Sequence, residues 1–406
     1  MFDLIIIGGG AAGFFTAIQL GEQNPGAKVL IVEKSGKFLS KVKVSGGGRC
    51  NITHACYDPM ELVNFYPRGK KELLGPFYQF GPTQMFEWLE QNGLPLKVEE
   101  DNRVFPASNA SQSVIDLYTQ LCKKYGIQTR QRTSIEDFEK TEQGWELRLS
   151  NRETLMAKNL MIATGSSTAF WKLLEKKGID MVQPVPSLFT FNTKAKLFSD
   201  LQGLSFPDVE VQILGSKFRE SGPLLVTHWG VSGPAVLKLS AIAARELSKM
   251  DYKFKVELNL IGLSKKECLA ELLDLKQDEA KKKVMNQRPF GLAKRAWARV
   301  VELLGIQNKN WADLNKKDLQ GITDMLCAYQ FEVKGKTTFK EEFVTAGGVD
   351  LKQINFTTME HKEHSSLYFA GEVLNIDALT GGFNFQAAWT TAYLAASHIA
   401  TKPLNK

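Results

Sequence analysis

The chain opens on a short continuous apolar run, Phe2 to Ile7, followed by a glycine cluster, a helical stretch from about Gly13 to Gln23, and a second apolar run from Lys28 to Val32. Runs of this length without polar alternation predict strands buried on both faces, and the periodic segment between them predicts the crossover helix of a βαβ unit. A helix over Ser111 to Tyr125 precedes three strand-like pieces, Ile127 to Asp137, Trp145 to Leu149 and Leu160 to Ile162, parted by turn-rich polar residues. That pattern predicts a meander covering one face of the sheet. From about Pro186 the texture changes to short alternating strands, Phe189 to Thr193, Val209 to Leu214, Leu224 to Thr227 and Lys253 to Leu260, which predict a small β-domain. Residues from Lys265 to about Tyr329 are rich in Leu, Lys, Glu and Ala and predict a compact helical piece. Strand character returns at Phe339 to Val344, and Leu367 to Ile399 is patterned as strand, glycine turn and long helix. The expected organisation is a discontinuous domain over 1–186 and 342–406, a β-barrel-like insert over 187–260 and 330–341, and a helical insert over 261–329.

Composition narrows the function classes. With 406 residues, 43% of them hydrophobic, the chain can bury one large core and at least one smaller one. The formal charge of +7 arises from 51 Lys and Arg against 44 Asp and Glu, densest near Lys265 to Lys283. This excess favours anionic ligands such as a pyrophosphate or an acidic substrate, but it lacks the concentrated basic stripe of a dedicated nucleic-acid surface. The five cysteines are odd in number and contain no C-x-x-C pair, which argues against a disulfide framework or a zinc site and fits a reducing cytosol. Leu4 to Ile7 is too short for a signal-peptide core and no later stretch reaches the apolar length of a membrane span, so a soluble cytoplasmic protein without a membrane partner is expected.

The chemistry is carried by glycine-rich constellations at both ends. Gly8-Gly9-Gly10-Ala11-Ala12-Gly13 is a G-x-G-x-x-G that follows a strand and opens a helix, with Glu33 at the end of the next strand. Gly8 permits the tight turn, Gly10 lets the backbone approach a pyrophosphate, Gly13 lets the helix pack on the strand, and the helix N-terminus supplies free N–H groups. Glu33 can accept from ribose hydroxyls and would repel a 2′-phosphate, so the nucleotide is FAD or NAD rather than NADP. A Gly-rich turn without a ligand is the alternative. The run Lys41 to Asn51, with Ser45, Gly46, Gly47, Gly48 and Arg49, reads as a second glycine-rich loop that presents backbone N–H groups and a cation to phosphate or a substrate carboxylate. Cys50 beside Arg49 is a candidate redox residue if its thiol is acidified there, and a packed small hydrophobe otherwise. His54 has no ligand cluster around it, and no metal is expected. Ala163, Thr164 and Gly165 end a strand in small residues. Gly371 and Glu372, then Asp377, Gly381, Gly382, Phe383 and Asn384, deliver an acidic residue at a strand end and a glycine pair that opens a helix, where N–H groups can stabilise negative charge on a reduced ring. Lys34, Lys41 and Ile135 complete the candidate cofactor-binding set.

These residues resemble the flavoproteins of the two-dinucleotide-binding fold, and within them the bacterial HI0933-like (BaiN-type) group. The resemblance rests on the N-terminal glycines, Ser45 to Asn51, Val104-Phe105-Pro106, Thr227-His228 with Gly230 and Ser232-Gly233-Pro234-Ala235, Gly347-Gly348-Val349, Gly371 to Leu374, and Gly381 to Asn384. It implies an α/β fold, a Rossmann-like domain of mostly parallel sheet with a β-meander, interrupted by a small β-domain and a small helical insert. It also implies non-covalent FAD and a reductase, dehydrogenase or oxidase activity on a small molecule. The sequence departs from the group's pattern at Asn375 and Ala378, often an acidic residue and glycine there, at Phe383, often Tyr, and at His54, often Asn. His228 is a candidate proton shuttle, with a structural Gly/Pro turn as the alternative. NADH or NADPH is the natural donor, bound transiently because no second G-x-G-x-x-G is present. A flavoprotein acting on tRNA and a non-catalytic flavin-bound regulator are the alternatives from other classes. Substrate, acceptor and oligomeric state are open at this level.

Overall fold

The computed structural model describes residues 1–337 and 344–402. It places the first apolar run at the centre of a sheet of nine strands among the described residues. Phe2–Ile7 pairs in parallel with Val29–Val32 on one side and Thr154–Ile162 on the other. Gln128–Arg130 and Leu367–Phe369 extend the parallel order outward. The central strand is covered on both faces, so apolar residues stand at both parities. Its one charge, Asp3, is fully buried, and it is compensated by the Lys158 ammonium at 3.3 Å and by the Lys28 N–H at 3.0 Å.

Two helices lie side by side in this domain, Ala11–Gln23 and Phe383–Ala400, and both are buried over most of their length. Helices apolar around most of their circumference belong inside a domain. Ala387, Ala388, Ala392, Ala395 and Ala396 keep the last helix slim, and the Thr16 hydroxyl donates to the Ala12 carbonyl at 2.9 Å while reaching the Ala392 carbonyl at 3.5 Å. Trp389 Nε1 donates to the Ile52 carbonyl at 3.1 Å and the Thr390 hydroxyl to that of Phe80 at 2.7 Å. The two ends of the chain are thereby fastened into one layer.

Three local expectations are corrected. The strand expected over Ile127 to Asp137 is two strands, Gln128–Arg130 and Ile135–Thr141. Arg132 adopts a positive φ of 51°, and the Arg132 and Thr133 N–H groups turn back onto the Ser35 and Glu33 carbonyls, both at 3.0 Å. The chain then enters an antiparallel hairpin with Gly144–Leu149. The supposed loop from Lys41 is part of an element spanning Ser40–Gly48 that leaves helical geometry from Ser45 through Gly48. Helices Lys70–Gln79, Pro82–Gln91 and Thr168–Lys176 had no counterpart in the sequence pattern.

The chain divides into two compact units, one built from residues 1–185 and 344–402, the other from 186–337. The second carries an antiparallel sheet whose strand order begins on Tyr329–Lys334 and ends on Lys336–Thr337. Only Gly335 separates those two strands, so the sheet curls back on itself. Helices Lys265–Asp278, Lys294–Leu303 and Lys316–Cys327 share one apolar core with that sheet, in which Trp297 and Trp311 stack at 6.2 Å. The strand anticipated at Phe339 to Val344 and the boundary at 341/342 lie outside the described residues, apart from Val344, which begins the strand Val344–Val349. Among the described residues no helix is long and apolar enough to cross a membrane.

Candidate active site

The N-terminal turn is shaped by what each glycine faces. Gly8 has a φ of +113°, and a Cβ on it would overlap the Ala163 carbonyl; a Cβ on Gly13 would overlap the Gly8 carbonyl. Both are therefore demanded by the packing of the protein itself. Gly10, the N-cap of Ala11–Gln23, is different: a Cβ there would meet nothing within 4 Å. The open space lies at the N-terminal end of a buried helix, where N–H groups and positive potential converge. Glu33 stands beside it, with one carboxylate oxygen accepting from the Gly9 N–H at 2.8 Å and the other from the Ser35 N–H at 2.7 Å. Each oxygen keeps a lone pair for a hydroxyl. Lys34 is exposed next to it.

Residues 163–165 and 371–372 close on the same turn. The Ala163 N–H donates to the Ile7 carbonyl at 2.8 Å, and a Cβ on Gly371 would stand 2.9 Å from that of Ala12. Glu372 forms an ion pair with Lys41, whose ammonium also reaches the Ser166 hydroxyl at 3.3 Å, and the Thr345 N–H donates to the other oxygen at 3.4 Å. The Thr164 hydroxyl and the Asn375 amide oxygen are buried with no hydrogen-bond partner among the described residues. Buried polar atoms are rarely left so in a finished structure, and Thr164 belongs to the strand end that packs against Gly8. This set fits a dinucleotide.

The glycine run at Gly46, Gly47 and Gly48 takes φ of 56°, 68° and 85°, a left-handed path closed to most side chains. It turns the chain into Thr53–His54, and Asn51 fixes the result. Its amide nitrogen faces the Thr53 and Val104 carbonyls at 2.9 and 3.2 Å, and its oxygen accepts from the Gly382 N–H at 3.0 Å. Gly381 and Gly382 open the last helix here, and Asn384 holds the preceding turn through paired bonds to the Ala378 N–H and carbonyl at 3.0 and 3.2 Å. Phe383 is buried, stacked on Phe65 at 4.2 Å and on His54 at 4.5 Å, and its carbonyl accepts from the Tyr66 hydroxyl at 2.6 Å. Burial holds the half-buried His54 below its usual pKa, and its Nδ1 has no hydrogen-bond partner among the described residues.

Several other candidates lie in contacts within the protein itself. Arg49, expected to meet phosphate or substrate, pairs with Glu99 at 2.6 Å and lies over the Phe105 ring at 4.0 Å. Asp377 is fully buried and forms a bidentate ion pair with Arg68, so it anchors its segment rather than facing a ligand. Arg68 was invisible in the sequence because its partner stands 309 residues away. Ile135, half-buried, begins the meander strand and pairs with Leu149. His228 is exposed in the second unit, in a turn closed by the Thr227 N–H and the Gly230 carbonyl at 2.8 Å. Ser45 is spent on the Val42 carbonyl at 2.8 Å.

Cys50 is also corrected. It is wholly buried, and burial pushes its thiol up from 9.0 to about 12, outweighing the bond to Ser45 that acts the other way. Burial holds the thiol protonated, and iodoacetamide at pH 7.5 should leave Cys50 unmodified until urea unfolds the chain. The unfolded thiol loses its proton first, so its contribution to stability is complete below pH 9 and is lost as pH rises toward 12. The slope is up to about 1.4 kcal/mol per pH unit, readable as urea midpoints that fall in alkali.

The profile of the HI0933-like protein Rossmann domain matches residues 2–398 of the chain. The chain is 30% identical over 410 residues to the ribosomal RNA dihydrouridine synthase of Escherichia coli strain K12, covering 98% of each chain. It is 24% identical over 410 residues to the 3-dehydro-bile acid delta(4,6)-reductase of Clostridium scindens, covering 98% of this chain and 99% of that one. Among solved structures it matches the 3-ketosteroid-delta4-(5alpha)-dehydrogenase of Rhodococcus jostii RHA1 at a TM-score of 0.53 and 13% identity, over 99% of this chain and 97% of that one. That last likeness concerns the fold.

Proposed function

Because the chain belongs to the family of HI0933-like proteins, we propose that this FAD-dependent oxidoreductase reduces a carbon–carbon double bond conjugated to a carbonyl, in a uridine of ribosomal RNA. The observation that carries the reading is the 30% identity over 98% of both chains with an enzyme named for making dihydrouridine in ribosomal RNA. The bile-acid reductase supports the chemistry from another substrate class, since a 3-oxo steroid with ring double bonds and a uracil ring both present an alkene in conjugation with a carbonyl. The choice of RNA departs from the small-molecule substrate that the family resemblance implied and from the absence of a concentrated basic stripe.

When bound, FAD supplies two-electron hydride transfer. The turn Gly8 to Gly13 and the N-terminus of Ala11–Gln23 would hold its pyrophosphate, Glu33 a ribose, and residues 163–165 with Gly371 and Glu372 the remainder. The stack of His54, Phe65 and Phe383 gives an apolar wall that keeps water from the glycine pair at Gly381 and Gly382. Reduction adds a hydride to the carbon β to the carbonyl and a proton to the α carbon, with NADH or NADPH as the source of the two electrons.

The test is made on ribosomal RNA from a strain lacking this chain. Nuclease digestion and mass spectrometry should show a loss of dihydrouridine, restored by the wild-type chain and by purified holoenzyme with NADPH or NADH in vitro. Unchanged dihydrouridine content, together with reduction of a 3-oxo-Δ4 steroid by the same enzyme, would transfer the chemistry to a small substrate. Reduction of neither would overturn the reading.

A further inference from the structure

We infer that the groove between the helix Lys70–Gln79 and residues 351–362 holds a stretch of single-stranded RNA beside the uridine to be reduced. This rests on the reading that the substrate is RNA. The groove has a volume of about 510 Å³ and is walled by Lys71 on one side and by Lys352 and Lys362 on the other, with the half-buried ring of Phe356 between. That volume falls within the roughly 300–1,000 Å³ of ordinary ligand clefts.

Charge and shape agree on the ligand. All three lysines are exposed, and Glu72 is the one acidic residue of the lining among the described residues. Lys362 Nζ donates to the Lys352 carbonyl at 2.6 Å, which draws two cations to one wall. Strongly hydrated point charges on flexible stems suit phosphates along a backbone. Tyr78 follows Lys71 by seven residues and Gly75 by three, which puts it on the same helical stripe, and it is 61% exposed. A Cβ on Gly75 would meet nothing within 4 Å, so the stripe between them is open. Cations that follow a backbone, together with aromatic faces on which bases stack, are the combination that binds single strands without reading their sequence.

The groove also begins beside the cofactor segment. Gly69, the N-cap of Lys70–Gln79, lies so close to Ile376 that a Cβ on it would stand 2.7 Å from Cγ1, and the preceding residue, Arg68, clasps Asp377. Lys71 therefore stands within one helical turn of residues 376–377, which lie in the stretch from Gly371 to Asn384. A strand held in the groove would have its next nucleotides at that stretch.

The experiment uses the full-length holoenzyme and a fluorescein-labelled uridylate oligomer of about twelve nucleotides, read by anisotropy. Three phosphate contacts weaken binding by about twentyfold between 50 and 200 mM salt, at a slope of about 0.7 per contact. K71A/K352A/K362A should lose that part of the salt dependence and bind more weakly at low salt, while its visible flavin spectrum shows that the fold and cofactor are intact. Y78A should bind the oligomer at least about fivefold more weakly, and an abasic oligomer of equal charge should not distinguish it from wild type. Unchanged affinity and slope in the triple variant, or absence of binding by the wild type at 50 mM salt, would overturn the inference. So would a preference for polyglutamate over the oligomer, which would assign the groove to an acidic peptide. If the triple variant still reduces ribosomal uridine with unchanged KM, the groove is wrong though the function stands. If the oligomer binds as expected but no uridine is reduced, the reaction is wrong and not the groove.

Discussion

Gly10→Val is expected to give a folded protein without a yellow colour. Gly10 has φ −94° and ψ −166°, which a β-branched residue adopts readily, and no atom lies within 4 Å of where its Cβ would be. The protein itself therefore accommodates the change, at the cost of about 1 kcal/mol for a poorer N-cap. The valine methyls would occupy the space into which a pyrophosphate must come to reach the helix N-terminus. FAD affinity should fall by at least about a hundredfold, or about 2.7 kcal/mol. Flavin absorbance after gel filtration and circular dichroism on the same sample separate the two effects. A variant that keeps stoichiometric FAD would place the cofactor elsewhere. Gly8→Ala and Gly13→Ala make the contrast, because their new methyl groups collide with the Ala163 and Gly8 carbonyls, and melting temperature should drop with the colour.

The second large effect is expected at Arg68→Met. Asp377 is fully buried and the Arg68 side chain is 14% exposed, so the two charges compensate each other where water cannot. Removing the guanidinium leaves a carboxylate buried within the stretch from Gly371 to Asn384, a change that costs about 3–5 kcal/mol when one partner of a buried pair is lost. Urea unfolding should show it as a lower midpoint with an unchanged slope. The double variant Arg68→Met/Asp377→Leu should recover part of the loss, because the stranded charge is gone. A single-variant loss below about 1 kcal/mol would mean that the other interactions of Asp377 hold the segment by themselves.

These two positions mark how far the sequence could be read. Gly10 was legible because a strand, a glycine turn, a helix and an acidic strand end occur in order within residues 2–33, and local sterics and helix electrostatics give each a task whatever surrounds it. Arg68 was not, since nothing near it in the chain hints at Asp377. The Cys50 expectation failed for a related reason. An adjacent arginine lowers a thiol pKa only if it faces the thiol in a polar setting, and here Arg49 turns to Glu99 while Cys50 turns into the core. The break within Ile127 to Asp137 depended on Arg132 and Thr133 turning onto Ser35 and Glu33, a contact between distant stretches.

The sequence by itself determined the buried parallel strands and the glycine turn between the first of them and the helix that follows, whereas the β and helical inserts it separated share one core in a single unit. The strands and the turn follow from period, from steric freedom at glycine and from the hydrophobic effect, all of which act over a few residues at a time. Only the tertiary structure decided which polar groups are spent on one another and which remain for a ligand. Arg49, Asp377, Asn51 and Asn384 are taken up by protein partners, whereas the Thr164 hydroxyl, the Asn375 oxygen and the space at Gly10 are left. That division is set by burial and by distances between residues far apart in the chain, which no local pattern encodes.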